Sequence, residues 1–249
     1  MELHSRKVKN MLEIKNVSFR YKRGNFKVDR LSLSVEPGYI YCLLGENGSG
    51  KTTFMKLMYG MLTGDSGSIS WNGHDILSGG RIKHKELVKY HTEASLTGEE
   101  WCALNMPLGE NVKMLSTLYP TFDREYFDKL IARAGLKSEL DKSYGKLSKG
   151  QKVKAEIAFN LAKRPKLMIL DEPLANLDPV FKMEILEILQ DAVAENNMSL
   201  IISTHLIDEV TDMVDYIILM KKGEIVKAGD RYEVLEKEGK TELRELFSK

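Results

Sequence analysis

The hydrophobic pattern of the chain changes its period several times, and each change marks a different predicted element. Alternating apolar residues at 12–21 and 28–35 predict antiparallel strands. An unbroken apolar run at 39–44 predicts a strand that is buried on both faces of a parallel sheet. Three later apolar runs predict further strands of that sheet, and they lie at 167–170, 200–203 and 216–220.

Helical spacing of apolar residues dominates the middle of the chain, roughly 95–165, where one helix should begin near Ser148 and stop before Pro165. Residues beyond Asp230 predict a short amphipathic helix. The predicted fold class is therefore α/β. It comprises a phosphate-binding core with a mostly parallel sheet, an N-terminal antiparallel β subdomain and an inserted α-helical subdomain. The expected bounds are 11–92 and 155–229 for the core with its β subdomain, 93–154 for the helical subdomain and 230–249 for the C-terminal helix.

Composition excludes several classes of protein. The 249 residues carry 37 basic and 36 acidic side chains, so the positive excess typical of a nucleic-acid binder is missing. The two cysteines, Cys42 and Cys102, are too few for a disulfide framework or a cysteine zinc site, which fits a reducing cytoplasm. No apolar run approaches the roughly 20 residues needed to span a bilayer. The polar residues 1–10 are expected to form a mobile arm, with weak attraction to an anionic membrane as the alternative.

A glycine-rich loop directly follows the buried strand at 39–44. It matches the pattern G-x-x-x-x-G-K-[ST], in which backbone N–H groups surround a phosphate. Lys51 would contact the β- and γ-phosphates, and the hydroxyl of Thr52 would bind Mg²⁺. The helix that starts here turns its positive end towards the same anion. The predicted ATP-binding residues of this loop are Gly45, Glu46, Asn47, Gly48, Ser49, Gly50, Lys51, Thr52 and Thr53.

Two further polar elements follow predicted strands of the same sheet. Asp171 and Glu172 end the apolar run at 167–170, and His205 follows the run at 200–203. Because ligands bind beyond the carboxyl ends of parallel strands, these side chains should meet the glycine-rich loop at one edge. Asp171 would hold Mg²⁺, Glu172 would polarise the attacking water and His205 would contact the γ-phosphate. Without that loop, a helix cap or a solvated turn would explain each of them equally well.

The segment Leu147-Ser148-Lys149-Gly150-Gln151, together with these motifs, resembles the ATP-binding cassette (ABC) ATPases. The resemblance covers about residues 11–249 as a single ABC domain. It implies a head-to-tail dimer in which each ATP lies between the phosphate loop of one subunit and the signature segment of the other. The family signature is usually L-S-G-G-Q, so Lys149 is a departure from the family pattern. Ser148 could also simply cap a surface helix.

The same resemblance implies roles for further residues. Ser148, Gly150 and Gln151 would contact the ATP of the partner subunit. Tyr21 would stack on adenine, although it could also face a core. Asp178 would reach across the dimer, although capping a helix ahead of Pro179 explains it equally well.

Glu93 takes the place where the family usually has glutamine, and it would then bind Mg²⁺ or the attacking water. A glutamate there resembles the subgroup whose partners export lipids, drugs or antibiotic peptides, which is an argument by analogy. The helical stretch that follows would contact the membrane partner through apolar residues such as Trp101, Met106 and Leu108, unless these are core residues.

These observations favour the ATPase subunit of a transporter that exports its cargo through a separate multi-spanning permease. It would be located on the cytoplasmic face of the membrane, with ATP and Mg²⁺ as cofactors and no nucleic-acid partner. The alternative is a soluble ABC-type ATPase that powers assembly, as in iron–sulfur assembly. A nucleotide-gated module with little hydrolysis is a third hypothesis, against which Glu172 and His205 argue. Neither the cargo nor the choice between homodimer and heterodimer follows from the sequence.

Overall fold

The computed structural model describes residues 10–23, 26–97, 101–205 and 207–246. Nearly all of the arm predicted at 1–10 lies outside these ranges. The strands are β1 (Leu12–Arg20), β2 (Lys27–Val35), β3 (Ile40–Leu44), β4 (Ser66–Trp71), β5 (His74–Ser78), β6 (Arg81–Ile82), β7 (Ala94–Thr97), β8 (Leu167–Leu170), β9 (Ser199–Thr204), β10 (Tyr216–Lys221) and β11 (Glu224–Asp230). The α-helices are α1 (Lys51–Tyr59), α2 (His84–Glu93), α3 (Leu108–Ser116), α4 (Arg124–Arg133), α5 (Lys149–Ala162), α6 (Pro179–Asn196) and α7 (Arg231–Lys237).

The strands form two sheets. An antiparallel five-stranded sheet has the order β2-β1-β4-β5-β6, and a six-stranded sheet has the order β11-β10-β3-β9-β8-β7. In the larger sheet every neighbouring pair from β10 to β7 is parallel, and only β11 pairs antiparallel, with β10. The predicted α/β class, with an antiparallel sheet beside a mostly parallel one, is confirmed.

The larger sheet is covered on both faces, and β3 shows why its sequence has no alternation. Ile40, Cys42 and Leu44 point into one core, formed with the helices, while Tyr41 and Leu43 point into the other, formed with the antiparallel sheet and α1. All five residues are buried. Because β3, β9 and β8 pair in parallel, their carboxyl ends meet at one edge of the sheet.

Several elements have weak sequence signals and were not predicted. Strands β4, β5 and β6 are short and carry few apolar residues, and β11 alternates on a half-exposed edge. The C-terminal helix is shorter than expected. It ends at Lys237, close to Gly239, whose φ of 62° is left-handed, and a single 3-10 turn follows at Leu243–Leu246.

Candidate active site

The glycine-rich loop connects β3 to α1 and lines a cleft of about 260 Å³. Two of its glycines are required by the geometry. A Cβ atom on Gly45 would lie 2.5 Å from the main-chain oxygen of Met220, and Gly50 precedes α1 with a φ of 111°. Within the loop, the buried hydroxyl of Ser49 has no hydrogen-bond partner among the described residues. A polar atom of this kind fits a ligand rich in oxygen atoms.

Lys51 lies at the first position of α1 and is almost completely buried. Its ammonium donates a 2.7 Å hydrogen bond to the carbonyl oxygen of Gly45 and lies 3.2 Å from Oε1 of Glu172. A buried ammonium among oxygen atoms can bind a phosphate by exchanging one acceptor for another. Burial raises the pKa of the neighbouring Cys42 thiol, so this group is not a thiolate nucleophile at neutral pH.

Asp171 follows β8 and connects three elements. Its Oδ2 accepts a 2.7 Å hydrogen bond from the hydroxyl of Thr52, and its Oδ1 accepts another of 2.7 Å from Ser203. The Ser203 hydroxyl in turn accepts a 2.8 Å hydrogen bond from the backbone N–H of Glu172. Adjacent hydroxyl and carboxylate oxygens, as on Thr52 and Asp171, are the hard ligands that suit Mg²⁺.

Glu172 lies between two basic side chains. While Oε1 faces Lys51, Oε2 is 2.9 Å from Nδ1 of His205. The backbone of Glu172 is left-handed, with a φ of 46°, a conformation that is uncommon for a residue other than glycine. The hydrogen bond from its N–H to Ser203 stabilises that conformation. The glycine-rich loop, the acidic pair and the histidine therefore do meet at one edge, as predicted.

Two aromatic residues lie beside the glycine-rich loop. The hydroxyl of Tyr21 is 3.3 Å from the hydroxyl of Thr53, and Phe26 lines the same cleft. A Cβ atom on Gly50 would be 3.1 Å from the tip of Phe26. Phe26 was not selected from the sequence, although an aromatic residue directly before β2 could have indicated it. Ser203 was also missed, because a serine inside an apolar strand gives no sign of what it contacts.

The signature segment and Asp178 do not line this cleft in their own subunit. Ser148 caps α5: its hydroxyl accepts from the N–H of Gln151 at 3.2 Å, and its own N–H donates to the Gln151 side chain at 2.9 Å. Asp178 caps α6 by accepting from the N–H groups of Val180 and Phe181, both at 3.1 Å. The alternatives based on helix capping are therefore present in the structure.

Glu93 lies at the opposite edge of the sheet from Asp171 and Glu172, so its assignment as a metal ligand is wrong. It ends α2 directly before β7, at the amino edge of the sheet. Asp171 follows the other end of the neighbouring strand, about 16 Å away along the strand direction. Both carboxylate oxygens of Glu93 are already engaged, with Trp71 Nε1 and Lys166 Nζ, each at 2.6 Å. Burial raises the pKa of Glu93, but these two hydrogen bonds outweigh it and hold the pKa below its usual value.

Comparison with known proteins agrees with this geometry. Residues 28–175 match the family model described as ABC transporter. The chain belongs to the ABC transporter family. It is 31% identical to the lantibiotic transport ATP-binding protein SrtF of Streptococcus pyogenes over 96% of both chains. It is 30% identical to the bacitracin transport ATP-binding protein BcrA of Bacillus licheniformis over 80% of this chain and 63% of BcrA.

Other relatives belong to transporters that are named for different substances. The phosphonates import ATP-binding protein PhnC 2 of a Synechococcus strain is 29% identical over 88% of this chain and 85% of its own. The solved structure of cbiO1 from Clostridium perfringens, part of the ABC transporter complex cbiONQ, has a TM-score of 0.77 at 27% identity and covers 92% of both chains. The chain is thus an ABC ATPase that binds ATP, and its relatives serve transporters of more than one kind.

Proposed function

We propose that this ABC ATPase drives the export of a drug, peptide or lipid through a separate membrane subunit. The observation that carries its chemistry is the position of Glu172, which lies beyond a parallel strand between Lys51 and His205. A carboxylate held there can accept a proton from water while cationic groups stabilise the charge on the phosphate.

Each residue of the cleft has a role in this proposal. The N–H groups of the glycine-rich loop and Lys51 bind the phosphates of ATP, with Tyr21 and Phe26 offering aromatic surface to the adenine. Thr52 and Asp171 would hold Mg²⁺, which neutralises phosphate charge when bound. Ser203 fixes the orientation of both carboxyl-bearing residues, and His205 orients Glu172 or contacts the γ-phosphate.

A second subunit would complete the site. The start of α5, with Ser148, Gly150 and Gln151, does not line its own cleft, and the positive end of its helix dipole favours an anion such as a phosphate. A head-to-tail dimer brings this segment, and Asp178, to the ATP of the partner subunit. The structure of one chain supports this indirectly, because both elements are formed and both lie outside the cleft of their own subunit.

The membrane subunit would bind the helical region between β7 and α5. Of the apolar residues considered there, Leu108 is buried, and Trp101 is partly buried and stacks on Phe159 at 4.6 Å, so both pack into or against the core. By contrast, Met114 on α3 is 50% exposed, and Leu118, just after that helix, is 68% exposed. No helix in the described ranges is long and apolar enough to cross a bilayer. We place this ATPase on the cytoplasmic face of the membrane, bound to a permease.

Export as the direction rests on relatives and no longer on Glu93, since that residue is remote from the site. SrtF is matched over almost its whole length, whereas importers such as PhnC 2 match at slightly lower identity and coverage. A peptide antibiotic is the class of cargo that the names of SrtF and BcrA suggest for this chain.

Two experiments test the proposal. The tagged chain is purified from detergent-solubilised cells of its source, and we expect a multi-spanning protein in near-equal amount. In parallel, a strain lacking the gene should become more sensitive to nisin and bacitracin, and the wild-type gene should restore resistance where the Glu172→Gln gene does not. Recovery of soluble partners only would favour an assembly ATPase. Loss of phosphonate uptake with unchanged resistance would favour import.

A further inference from the structure

Lys149, the residue by which the signature departs from its family pattern, makes a contact within its own subunit. Its ammonium donates a 2.8 Å hydrogen bond to the carbonyl oxygen of Ala175. Ala175 belongs to the loop that runs from Glu172 to Asp178, and its own N–H donates to the carbonyl of Glu172 at 3.1 Å. A single side chain thus connects the start of α5 to the loop that carries the proposed general base.

That loop needs external contacts to keep its shape. Glu172 and Asn176 both have left-handed backbones, with φ values of 46° and 59°. Such conformations are unfavourable for residues with a side chain and persist only where the surroundings hold them. Ser203 holds one end through the N–H of Glu172, and Asp178 holds the other by capping α6. Lys149 holds the middle.

A lysine is a poor choice at this position unless it has a specific contact. Lys149 is the first residue of α5, where the helix dipole disfavours a positive charge. The hydrogen bond to Ala175 places the ammonium at the negative end of a carbonyl dipole, which offsets that cost. Replacing Lys149 by an uncharged residue should therefore leave α5 intact while releasing the loop.

The packing around this contact is tight. A Cβ atom on Gly150 would lie 2.8 Å from the ring of Phe181, which belongs to the first turn of α6. One turn further along α5, the buried ammonium of Lys154 forms an ion pair with Glu184 and lies 4.0 Å from the centre of the Phe181 ring. The starts of α5 and α6 therefore form one packed unit, and the loop before α6 is attached to it through Lys149.

We propose that Lys149 is a positioning residue that fixes the Glu172–Asp178 loop to the signature segment and thereby couples the two ATP sites of the dimer. The coupling rests on the head-to-tail arrangement proposed above, in which Ser148 and Gly150 serve one ATP and Glu172 of the same subunit serves the other. Movement of the signature segment when it binds one nucleotide would then be transmitted to the general base of the other site.

The first test needs neither ATP nor a partner. Hydrogen exchange is compared in the nucleotide-free protein for wild type, Lys149→Met, Lys149→Arg and the exposed control Lys146→Met. We expect amides of 174–178 to exchange at least about threefold faster in Lys149→Met, with α5 unchanged. Lys149→Arg keeps a donor and should stay close to wild type. Unchanged exchange in Lys149→Met would overturn the proposal, whatever the ATPase activity.

The second test measures coupling. Steady-state ATP hydrolysis by Lys149→Met should show a kcat about tenfold lower and a Hill coefficient closer to 1, since a mobile general base no longer responds to the second site. Lys149→Arg should recover most of both, and Lys146→Met should match wild type. A full Hill coefficient in Lys149→Met would overturn the coupling. Failure of the Glu172→Gln protein to dimerise with ATP would instead count against the proposed dimer, leaving the exchange result to decide on the loop.

Discussion

The two ends of the six-stranded sheet carry the same chemical groups in different settings. At the carboxyl end, Glu172 lies 3.2 Å from Lys51. At the amino end, Glu93 lies 2.6 Å from Lys166. Both are a glutamate paired with a lysine, yet only the first pair lies next to a glycine-rich loop. The comparison shows that a glutamate–lysine pair can take part in phosphate chemistry only where the surrounding backbone also forms a phosphate-binding loop.

Strand β9 repeats this contrast with serine. Ser203, near its carboxyl end, donates to Asp171 and accepts from the N–H of Glu172. Ser199, at its amino end, donates to the carbonyl of Glu36 and accepts from the N–H of Gly38, at 2.9 and 2.8 Å. Both hydroxyls are fully buried and bridge two chain segments. The Ser203 bridge holds the Asp171 carboxylate and the backbone of Glu172, whereas the Ser199 bridge holds only the turn between β2 and β3.

The largest expected effect separates the two glutamates. Glu172→Gln removes the proton acceptor but keeps the shape, so turnover should fall by about 10²-fold or more while ATP still binds. The ATP-bound dimer should then accumulate on a sizing column. Glu93→Gln, the matched change at the other end of the sheet, should leave kcat within about twofold of wild type, because ion pairs remote from the site do not touch the reaction. Normal turnover in Glu172→Gln would remove Glu172 as the general base.

A smaller effect separates the two serines. Ser203→Ala frees one carboxylate oxygen of Asp171 and leaves the N–H of Glu172 unpaired, so we expect kcat to drop about tenfold. Ser199→Ala loses two hydrogen bonds comparable to those of Ser203. We expect each alanine variant to lower the free energy of unfolding by about 1–3 kcal/mol, and Ser199→Ala to leave kcat unchanged. Steady-state kinetics and urea unfolding of both variants decide the matter. Equal losses of kcat would mean that Ser203 acts only through stability.

The sequence predicts those parts of the site whose residues each lie within a short, recognisable segment. The glycine-rich loop, Asp171 with Glu172, and His205 each follow an apolar strand, and strand order brings them together. Contacts such as Lys149 with Ala175 join residues that are far apart in sequence, and no local pattern encodes them. Only the fold makes them visible.

The error at Glu93 has a specific cause. The assignment comes from the family resemblance alone, because β7 (Ala94–Thr97) is too short to stand out in the sequence and its region is predicted as helical. Each residue along a strand advances about 3.3 Å, so the five steps from the residue before β7 to the residue after it cover about 16 Å. Leu87 and Tyr90 have helical spacing and lie in α2, the helix that Glu93 ends. This spacing is the sequence signal that could have placed Glu93 before β7, at the amino edge of the sheet.

The smallest effect concerns Glu93 itself. Its carboxylate is stabilised by Trp71 and Lys166, so Glu93→Gln should lower the free energy of unfolding by about 1 kcal/mol at pH 7. The pKa of Glu93 in the folded protein is below the usual 4.5, so this stability is fully present at pH values above 4.5. This stability is lost as the pH falls through the pKa that Glu93 has in the folded protein, because the carboxylate is then protonated in the folded state as well. Urea unfolding at pH 7 and pH 3 should therefore show a difference between wild type and Glu93→Gln that shrinks in acid. A double-mutant cycle with Lys166→Met gives the share of the lysine, and a difference that is constant with pH would mean that Glu93 acts through shape rather than charge.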